Sequence, residues 1–315
     1  MNAHRLPPLA RTGIGSLPVR SVARALEVSF ALELPFLPQL TSVSASEGLI
    51  ATALDGLPGL ELDAQGKPRL GEAGGDAEAF EPLPDPEASR CWRPFLDAVA
   101  EHRPGHAKVQ LAGPFTVLTA LQAAPERDAE VAGFLTARAV AMAKAVRAEG
   151  CTPVVFLDEP WLVSLRDGDA RQVSHLAFLG RMVAAVKATG AVVGLHCCGN
   201  THWSRVLALG IDLLSFDVRC SLDALLDERA ALHHYLFHGG ALALGIVPTE
   251  PDAVYRVGEL VEALEVSLAS SHFEPHRVLA NAWLTPACGL AGHTEAQADR
   301  VFAELAQAQA ALRSA

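Results

Sequence analysis

Positive charge is scarce in this sequence. Its 25 Lys and Arg stand against 36 Asp and Glu, which gives a formal net charge of -11, and charged residues of both signs make up only 19% of the chain. Binding to a nucleic-acid backbone needs clustered positive charge. The composition therefore argues against a nucleic-acid-binding surface.

Long apolar runs are also missing. No stretch reaches the roughly 18 uninterrupted apolar residues that a membrane span needs, and the N-terminal residues MNAHRLPPLARTGIGSLP contain no apolar segment typical of a signal peptide. We therefore expect a soluble, cytoplasmic protein with no membrane partner. In that compartment the six cysteines should be reduced, so that they serve packing, metal binding or chemistry rather than disulfides.

Short apolar runs alternate with longer amphipathic stretches, and this pattern is typical of strands that are each followed by a helix. The candidate strands lie at about residues 10–14, 32–36, 108–112, 153–158, 191–196, 213–217, 241–247 and 278–283. Eight strands are the number that closes a barrel, and a chain of 315 residues can form one such domain. We predict an α/β fold, a (β/α)8 TIM barrel, in which residues 1–315 form a single catalytic domain.

Amphipathic stretches predict helices at residues 129–149, 171–189, 252–270 and 294–312. The first two are followed by Gly150 and Gly190, which are suited to end helices, and Thr294 is a candidate N-cap. Residues 55–89 differ, because they are rich in Gly, Pro and acidic residues and lack sustained periodicity. We expect them to form an irregular insertion between strands 2 and 3, either a lid or a disordered flap.

Polar residues fall at the ends of the predicted strands. In a (β/α)8 barrel the active site is built from the C-terminal ends of the strands, which meet at one mouth. The residues at these ends are Ser16 after the first strand, Asp158 and Glu159 at the fourth, His196 at the fifth, Asp217 at the sixth and Cys288 after the eighth.

Two of these strand ends carry soft metal ligands. His196 and Cys198 would point to the same face of an extended strand, while Cys197 would point to the other. An imidazole and a thiolate suit zinc, which prefers nitrogen and sulfur ligands in a tetrahedron. Cys288 adds a third soft donor, and Asp217 is the nearest candidate for a fourth. Taken alone, a His-x-Cys pair is more often a buried histidine beside an inert cysteine, and Asp217 could equally cap the next helix.

Six motifs follow one another along the chain: TGIGSLP, VQLAGPFT, FLDEP, HCCGN, SFD and LTPACGL. In residue type and order they resemble the catalytic C-terminal barrel of cobalamin-independent methionine synthases, in a short, core-only form. The resemblance covers nearly the whole chain. It implies a zinc-dependent S-methyltransferase that transfers a methyl group to the zinc-activated thiolate of homocysteine and so forms methionine.

The resemblance also implies roles for individual residues. Zinc would be held by His196, Cys198 and Cys288, with Asp217 at the position where the family usually has Glu. Homocysteine would be held by the turn of Ile14, Gly15 and Ser16 and by two carboxylates, Asp158 and, as a weaker match, Glu47.

Taken without the family, Ser16 is more often a turn residue, Asp158 and Glu159 could form a helix N-terminus, and Glu47 could be a surface acid. Zinc binding would deprotonate the substrate thiol, which is otherwise mostly protonated at neutral pH. Asp158 is the predicted catalytic residue, because the carboxylates would orient the substrate for attack on the methyl carbon.

The partner that supplies the methyl group is left open between a methylfolate and a methylcorrinoid protein. The long enzymes have an aromatic platform for the pterin soon after the Gly-Pro motif, but here the chain continues as TVLTALQAAP, without Trp or Tyr. They also have a proton-donating histidine after strand seven, where this chain has GIVPTEP. A metal-free relative of uroporphyrinogen decarboxylase, which shares the barrel, is the alternative outside the methyltransferases.

Overall fold

The computed structural model describes residues 6–62, 68–71, 81–122 and 124–314. The strands of this part of the chain are β1 (Ala10–Arg11), β2 (Leu60–Leu62), β3 (Pro68–Leu70), β4 (His106–Ala112), β5 (Thr152–Asp158), β6 (Val192–Cys197), β7 (Leu213–Asp217), β8 (Ala241–Val247) and β9 (Trp283–Pro286). Seven of them form one parallel sheet, with the order β1-β9-β8-β7-β6-β5-β4, and β2 and β3 form a separate antiparallel pair.

Helices connect and cover the strands of the sheet. They are α1 (Val22–Phe30), α2 (Leu49–Leu54), α3 (Trp92–His102), α4 (Pro114–Leu121), α5 (Asp128–Ala148), α6 (Ala170–Lys187), α7 (Trp203–Leu207), α8 (Val218–Asp227), α9 (Arg229–Phe237), α10 (Val257–Ser270), α11 (Pro275–Leu279) and α12 (Glu295–Ser314), with 3₁₀ helices at Ala45–Glu47, Pro125–Arg127 and Pro160–Ser164. The protein therefore has an α/β fold with a curled parallel sheet and flanking helices, similar to a TIM barrel.

Residues 34–39 link the two edges of the sheet. Leu34 donates a backbone hydrogen bond to Arg11 at the β1 edge (3.1 Å), and Leu37 donates one to Lys108 in β4 (2.8 Å). The segment makes only isolated bridges and is not a regular strand, so the prediction of a strand at 32–36 is wrong. The physical reason is that Pro35 and Pro38 have no N–H to donate to a ladder.

The predicted strand at 278–283 is also wrong. Pro275 occupies the first turn of α11, a position that suits its fixed φ, and the strand begins only at Trp283. Six other strand predictions overlap observed strands, and the two at 213–217 and 241–247 match β7 and β8 residue for residue. The strand predicted at 191–196 is shifted by one residue in β6.

The predicted helices are present with altered ends. Gly150 and Gly190, which follow α5 and α6, have φ values of 82° and 80°, a conformation that glycine adopts without strain. The predicted cap of α12 is confirmed: Thr294 Oγ1 accepts from Gln297 N (3.2 Å) and Gln297 Oε1 accepts from Thr294 N (2.8 Å). The helix predicted from residue 252 begins only at Val257.

Part of the predicted insertion at 55–89 can be described. Residues 63–67 and 72–80 lie outside the described residues, and the flanking parts contain the β2–β3 pair. Arg138 of α5 binds both ends of this region. Its guanidinium donates to the carbonyl oxygens of Thr52 (2.8 Å), Asp55 (2.5 Å) and Pro82 (3.2 Å).

The strands of the sheet are buried on both faces, as expected where helices cover one side and the curled sheet closes over the other. A small apolar cluster combines residues of β5, β7 and β8 with Leu34. Its members are Leu34, Val154, Phe156, Leu213 and Ala243. Within the described residues, no helix is both long enough and apolar enough to cross a bilayer.

Candidate metal centre

Three soft side chains meet at the C-terminal edge of the sheet. His196 lies on β6, Cys198 in the bend that follows it, and Cys288 in the bend after β9. One donor atom of each residue lies within 4.8 Å of the other two. The first and last of the three residues lie 92 positions apart in the sequence, at 196 and 288, and are brought together because β6 and β9 run parallel in one sheet.

The ring of His196 is held in a fixed orientation. Its Nδ1 is 2.9 Å from Ser215 Oγ, on the neighbouring strand β7, where Ser215 is its register partner. The other ring nitrogen, Nε2, is buried and has no hydrogen-bond partner of normal geometry among the described residues. When Nδ1 donates its proton to the serine, Nε2 carries a lone pair that is available to a ligand or ion.

The two thiols interact strongly with each other. The pKa of Cys198 is lowered, first by a hydrogen bond from the Cys288 thiol and second by the nearby His196 ring. The pKa of Cys288 is raised, first by the same hydrogen bond and then by burial. Such a pair holds one negative charge between two sulfur atoms, and this favours a cation beside them.

Cys197 is directed away from this cluster. Its side chain is fully buried in the main hydrophobic core, and burial raises its pKa to about 12. The alternation of side chains along β6 thus separates the two neighbouring cysteines, as the sequence predicts.

The donor set fits zinc. Tetrahedral zinc has Zn–N near 2.0 Å and Zn–S near 2.3 Å, so its ligand atoms are roughly 3.6–3.8 Å apart, which the 4.8 Å limit on these donor atoms admits. An unpartnered buried imidazole nitrogen would cost free energy unless a ligand or ion used it. Three protein ligands also leave a fourth position for a substrate atom, as in catalytic zinc sites.

Asp217 does not join this group. Its Oδ1 accepts hydrogen bonds from the amides of Arg219 (2.8 Å) and Cys220 (3.3 Å), so it is the N-cap of α8. The described residues that could together hold a metal at this site are His196, Cys198 and Cys288 alone. The helix-cap interpretation of Asp217 is therefore the one that the structure displays.

The turn of Ile14, Gly15 and Ser16 lies beside the loop of Cys288. Leu290 donates a backbone hydrogen bond to the Ser16 carbonyl (3.0 Å), and Gly289 leaves the room that Ser16 Oγ occupies. The carbonyl oxygens of Ile14 and Gly15 accept from Lys108 Nζ and from Gln39 N.

The amides of this turn make no backbone hydrogen bond within the described part of the chain. No carbonyl there accepts from the N–H groups of Ile14, Gly15 and Ser16. Consecutive free amides of this kind form an anion-binding concavity.

Asp158 ends β5 next to His196, its register partner on β6. Only 5% of its surface is exposed, and its Oδ1 is buried without a hydrogen-bond partner among the described residues. Burial raises its pKa to about 6, against the opposing effect of Lys108 and His196. A buried carboxylate oxygen without a donor points to a cationic or hydrogen-bonding ligand.

Glu159, unlike its neighbour Asp158, binds the N-terminus of a helix. Its carboxylate accepts from the amides of Phe115 (3.1 Å) and Thr116 (2.6 Å), so it closes the N-terminus of α4. Burial raises its pKa to about 8 in spite of these hydrogen bonds. A Cβ on Gly113 would collide with this carboxylate, which explains the Gly-Pro pair before α4.

Glu47 is buried rather than a surface acid, with 1% of its surface exposed. Its carboxylate accepts from Leu40 N (2.7 Å) and lies 3.5 Å from Arg90 Nε. It is not one of the residues grouped around the thiols, and its contact with a substrate stays a prediction.

Sequence reasoning missed two residues that shape this site. Ser215 orients His196, and Lys108 buries its ammonium inside the sheet beside the Ile14 turn. A signal for Lys108 was present, since a lysine stands among buried positions of β4, but its partners come from distant parts of the chain.

Part of the chain is similar to a known family. Residues 109–240 match the family model of uroporphyrinogen decarboxylase (URO-D), a range that includes His196 and Cys198 but not Cys288. No protein of curated function has a sequence that matches the chain.

Two solved structures share the fold. A "methyltransferase from Methanosarcina mazei" superimposes with a TM-score of 0.53 at 17% identity, covering 91% of this chain and 83% of that one. A protein from Listeria monocytogenes described as a "Putative Vitamin-B12 Independent Methionine Synthase" superimposes with a TM-score of 0.54 at 17% identity, covering 96% of this chain and 98% of that one. At such identities the likeness concerns the fold.

Proposed function

We propose that this chain is a zinc-dependent S-methyltransferase of the cobalamin-independent methionine synthase type, which transfers a methyl group to the thiol of homocysteine and forms methionine. The observation that carries the proposal is the cluster of the unpartnered His196 Nε2 with the sulfur atoms of Cys198 and Cys288. The fold shared with the two solved structures supports the same reaction class.

His196, Cys198 and Cys288 would hold the zinc. When bound, zinc keeps a substrate thiol deprotonated at neutral pH and so supplies the nucleophile. Asp217 occupies the family's carboxylate position, but its capping hydrogen bonds favour a three-ligand site.

The other predicted residues would bind the amino-acid end of homocysteine. Asp158 offers a buried oxygen without a donor, which suits the substrate ammonium group. The free amides of Ile14, Gly15 and Ser16 suit the carboxylate. Together they would fix the direction of the sulfur atom, which converts a bimolecular encounter into an aligned attack.

In the transfer itself a new sulfur–carbon bond forms as the bond between the methyl group and its carrier breaks. With a methylfolate, the electron pair of the broken bond stays on the departing nitrogen, which takes up a proton. That proton requires a general acid near the donor. The segment GIVPTEP after β8 supplies no histidine for this purpose.

A methylcorrinoid protein is the second candidate donor. Phe115, the aromatic residue that follows the Gly-Pro motif, is completely buried, so it offers no platform on which a pterin could stack. A corrinoid donor needs neither that platform nor a protonated nitrogen leaving group. This observation favours a protein partner over methylfolate.

The match of residues 109–240 to uroporphyrinogen decarboxylase favours a third candidate, a decarboxylase-like protein without metal. Such a protein would purify without zinc and would tolerate loss of Cys288.

We further propose that residues 1–315 form one cytoplasmic domain, a (β/α)8 barrel in which residues 34–39 take the place of the second strand. Residues 55–89 would be its insertion.

Metal analysis combined with a methylation assay tests the proposal. The purified wild-type protein should contain about one zinc per chain and should accelerate the methylation of homocysteine by methyl iodide, which needs no natural donor. Cys198→Ala and Cys288→Ala should lose both properties. Cys220→Ala, which removes an exposed thiol on α8, is the matched control and should retain both.

The outcome separates the candidates. Unchanged zinc content in both ligand variants refutes the zinc mechanism, and a wild type without metal refutes it and favours the decarboxylase-like alternative. With zinc established, methionine formation from methylfolate alone supports the folate donor, and formation only with a methylated corrinoid protein supports the second candidate.

A further inference from the structure

Lys108 carries a buried charge next to the substrate turn. Only 1% of its surface is exposed, and its Nζ donates to the Ile14 carbonyl (2.6 Å) and to Gln110 Oε1 (3.0 Å). The ammonium also lies 4.9 Å from the centre of the Phe156 ring, which forms part of the apolar cluster inside the sheet. Burying a charged group is expensive unless it is paired and hydrogen-bonded, so this position calls for a specific reason.

The contacts of Lys108 determine how the turn is folded. Its ammonium donates to the carbonyl of Ile14. Gln39 N donates to the carbonyl of Gly15, and Leu290 N donates to that of Ser16. Gly15 is packed so closely over Gln110 that a Cβ there would lie 2.6 Å from Gln110 Nε2. In a planar trans peptide the N–H points opposite to the carbonyl, so holding the carbonyls of Ile14 and Gly15 directs the amides of Gly15 and Ser16 away from these donors.

We propose that Lys108 is a positioning residue that makes the site selective for thiols bearing an α-carboxylate. By holding the Ile14 carbonyl it keeps the free amides of the turn available for that carboxylate, and its own positive charge beneath the turn favours the same anion. The inference rests on the proposed function, since it assigns a substrate class to the same site.

A pair of ligands isolates this effect. Homocysteine and 3-aminopropane-1-thiol have the same thiol and amine and differ by the carboxylate. Binding of both to the zinc-loaded protein is measured by calorimetry, together with zinc content and melting temperature. The wild type should bind homocysteine at least about tenfold more tightly, the size expected for a charge-assisted hydrogen bond.

Lys108→Met keeps the length of the side chain and removes its charge and its donors. It should bind homocysteine and the decarboxylated thiol about equally, with unchanged zinc content. Lys108→Gln retains an N–H donor and should recover part of the preference. If Lys108→Met does not fold, the comparison of the two thiols is made with Lys108→Gln instead.

Different results overturn different claims. If the wild type prefers homocysteine and both Lys108 variants keep the full preference, the role of Lys108 is refuted while the proposed function stands. An equal loss of affinity for both thiols also refutes it, because that pattern belongs to a merely structural residue. A wild type that binds zinc but ignores the carboxylate overturns this inference together with the homocysteine assignment, and a wild type without zinc overturns the proposed function itself.

Discussion

Ser16 lies directly against Gly289, so that a side chain on this glycine would overlap Ser16 Oγ. The two loops cannot easily separate, because Leu290 N donates to the Ser16 carbonyl (3.0 Å). This contact joins the predicted substrate turn to the loop that carries Cys288. The position of one strand end therefore depends on the other.

Gly289→Ala should disturb both parts of the site. The added methyl group displaces Ser16 or Cys288, at a cost of about 1–3 kcal/mol typical of overpacking. We expect weaker binding of homocysteine and of zinc, measured by calorimetry and by metal competition. Gly292→Ala in the same loop is the control, because its Cβ would have no neighbour within 4 Å. Equal behaviour of the two variants would contradict the coupling of the loops.

Ser215→Ala tests the orientation of His196. Without the Oγ partner at 2.9 Å, the imidazole loses the hydrogen bond that fixes its ring and tautomer. Losing such an outer contact costs roughly 10–100-fold in metal affinity, so the dissociation constant for zinc should rise by that factor. Ser221→Ala is the control, since this buried hydroxyl has no partner among the described residues. A zinc affinity that is the same in both variants would show that Ser215 does not support the ligand.

Asp217→Ala separates a helix cap from a metal ligand. Because Asp217 caps α8, the substitution should lower the free energy of unfolding by about 1 kcal/mol and leave zinc content unchanged. Asp169→Ala, which removes the equivalent cap of α6, should have the same effect on stability. Both are checked by urea unfolding and metal analysis. A loss of zinc in the Asp217 variant alone would instead assign its carboxylate to the metal.

The sequence was sufficient to expect the three soft donors at one place. Alternation along a strand separates Cys198 from Cys197, and parallel strands bring the ends of β6 and β9 to the same edge. The choice for Asp217 could not be made in advance, because an aspartate after a strand can cap a helix or bind a metal with the same atoms. The roles of Lys108 and Ser215 depend on partners from other strands, which local patterns do not reveal.

The errors in the fold have local causes. Pro35 lies inside the strand predicted at 32–36 and Pro38 lies just after it, but the apolar residues around them dominate the pattern. Near the last strand, the apolar residues of α11 resemble a strand, because five helical residues are too few to display a helical period. Burial on both strand faces also removes the alternation that would fix strand ends.

Arg11 and Glu33 form an ion pair beside the part of the sheet where residues 34–39 make only isolated bridges. The Glu33 carboxylate accepts hydrogen bonds from Arg11 Nε (2.9 Å), Nη2 (2.9 Å) and backbone N (3.0 Å). Burial acts to raise the pKa of Glu33, but these hydrogen bonds outweigh it and lower the pKa from 4.5 to about 2. A carboxylate with a lowered pKa stabilises the fold above its unfolded pKa and loses this contribution as the pH falls.

Glu33→Gln should therefore destabilise the protein near neutral pH by about 1–2 kcal/mol, less than the whole shift implies because the pair is partly exposed and screened. The difference from the wild type should shrink as the pH falls from 4.5 to about 2, since over that range Glu33 takes up a proton in the unfolded chain before it does so in the folded protein. Urea unfolding at several pH values measures it. Glu27→Gln, in the exposed pair with Arg24, is the control and should change stability little at any pH. A Glu33→Gln deficit that stays constant down to the acid limit would mean that packing, and not the charge, holds the seam between β1 and residues 34–39.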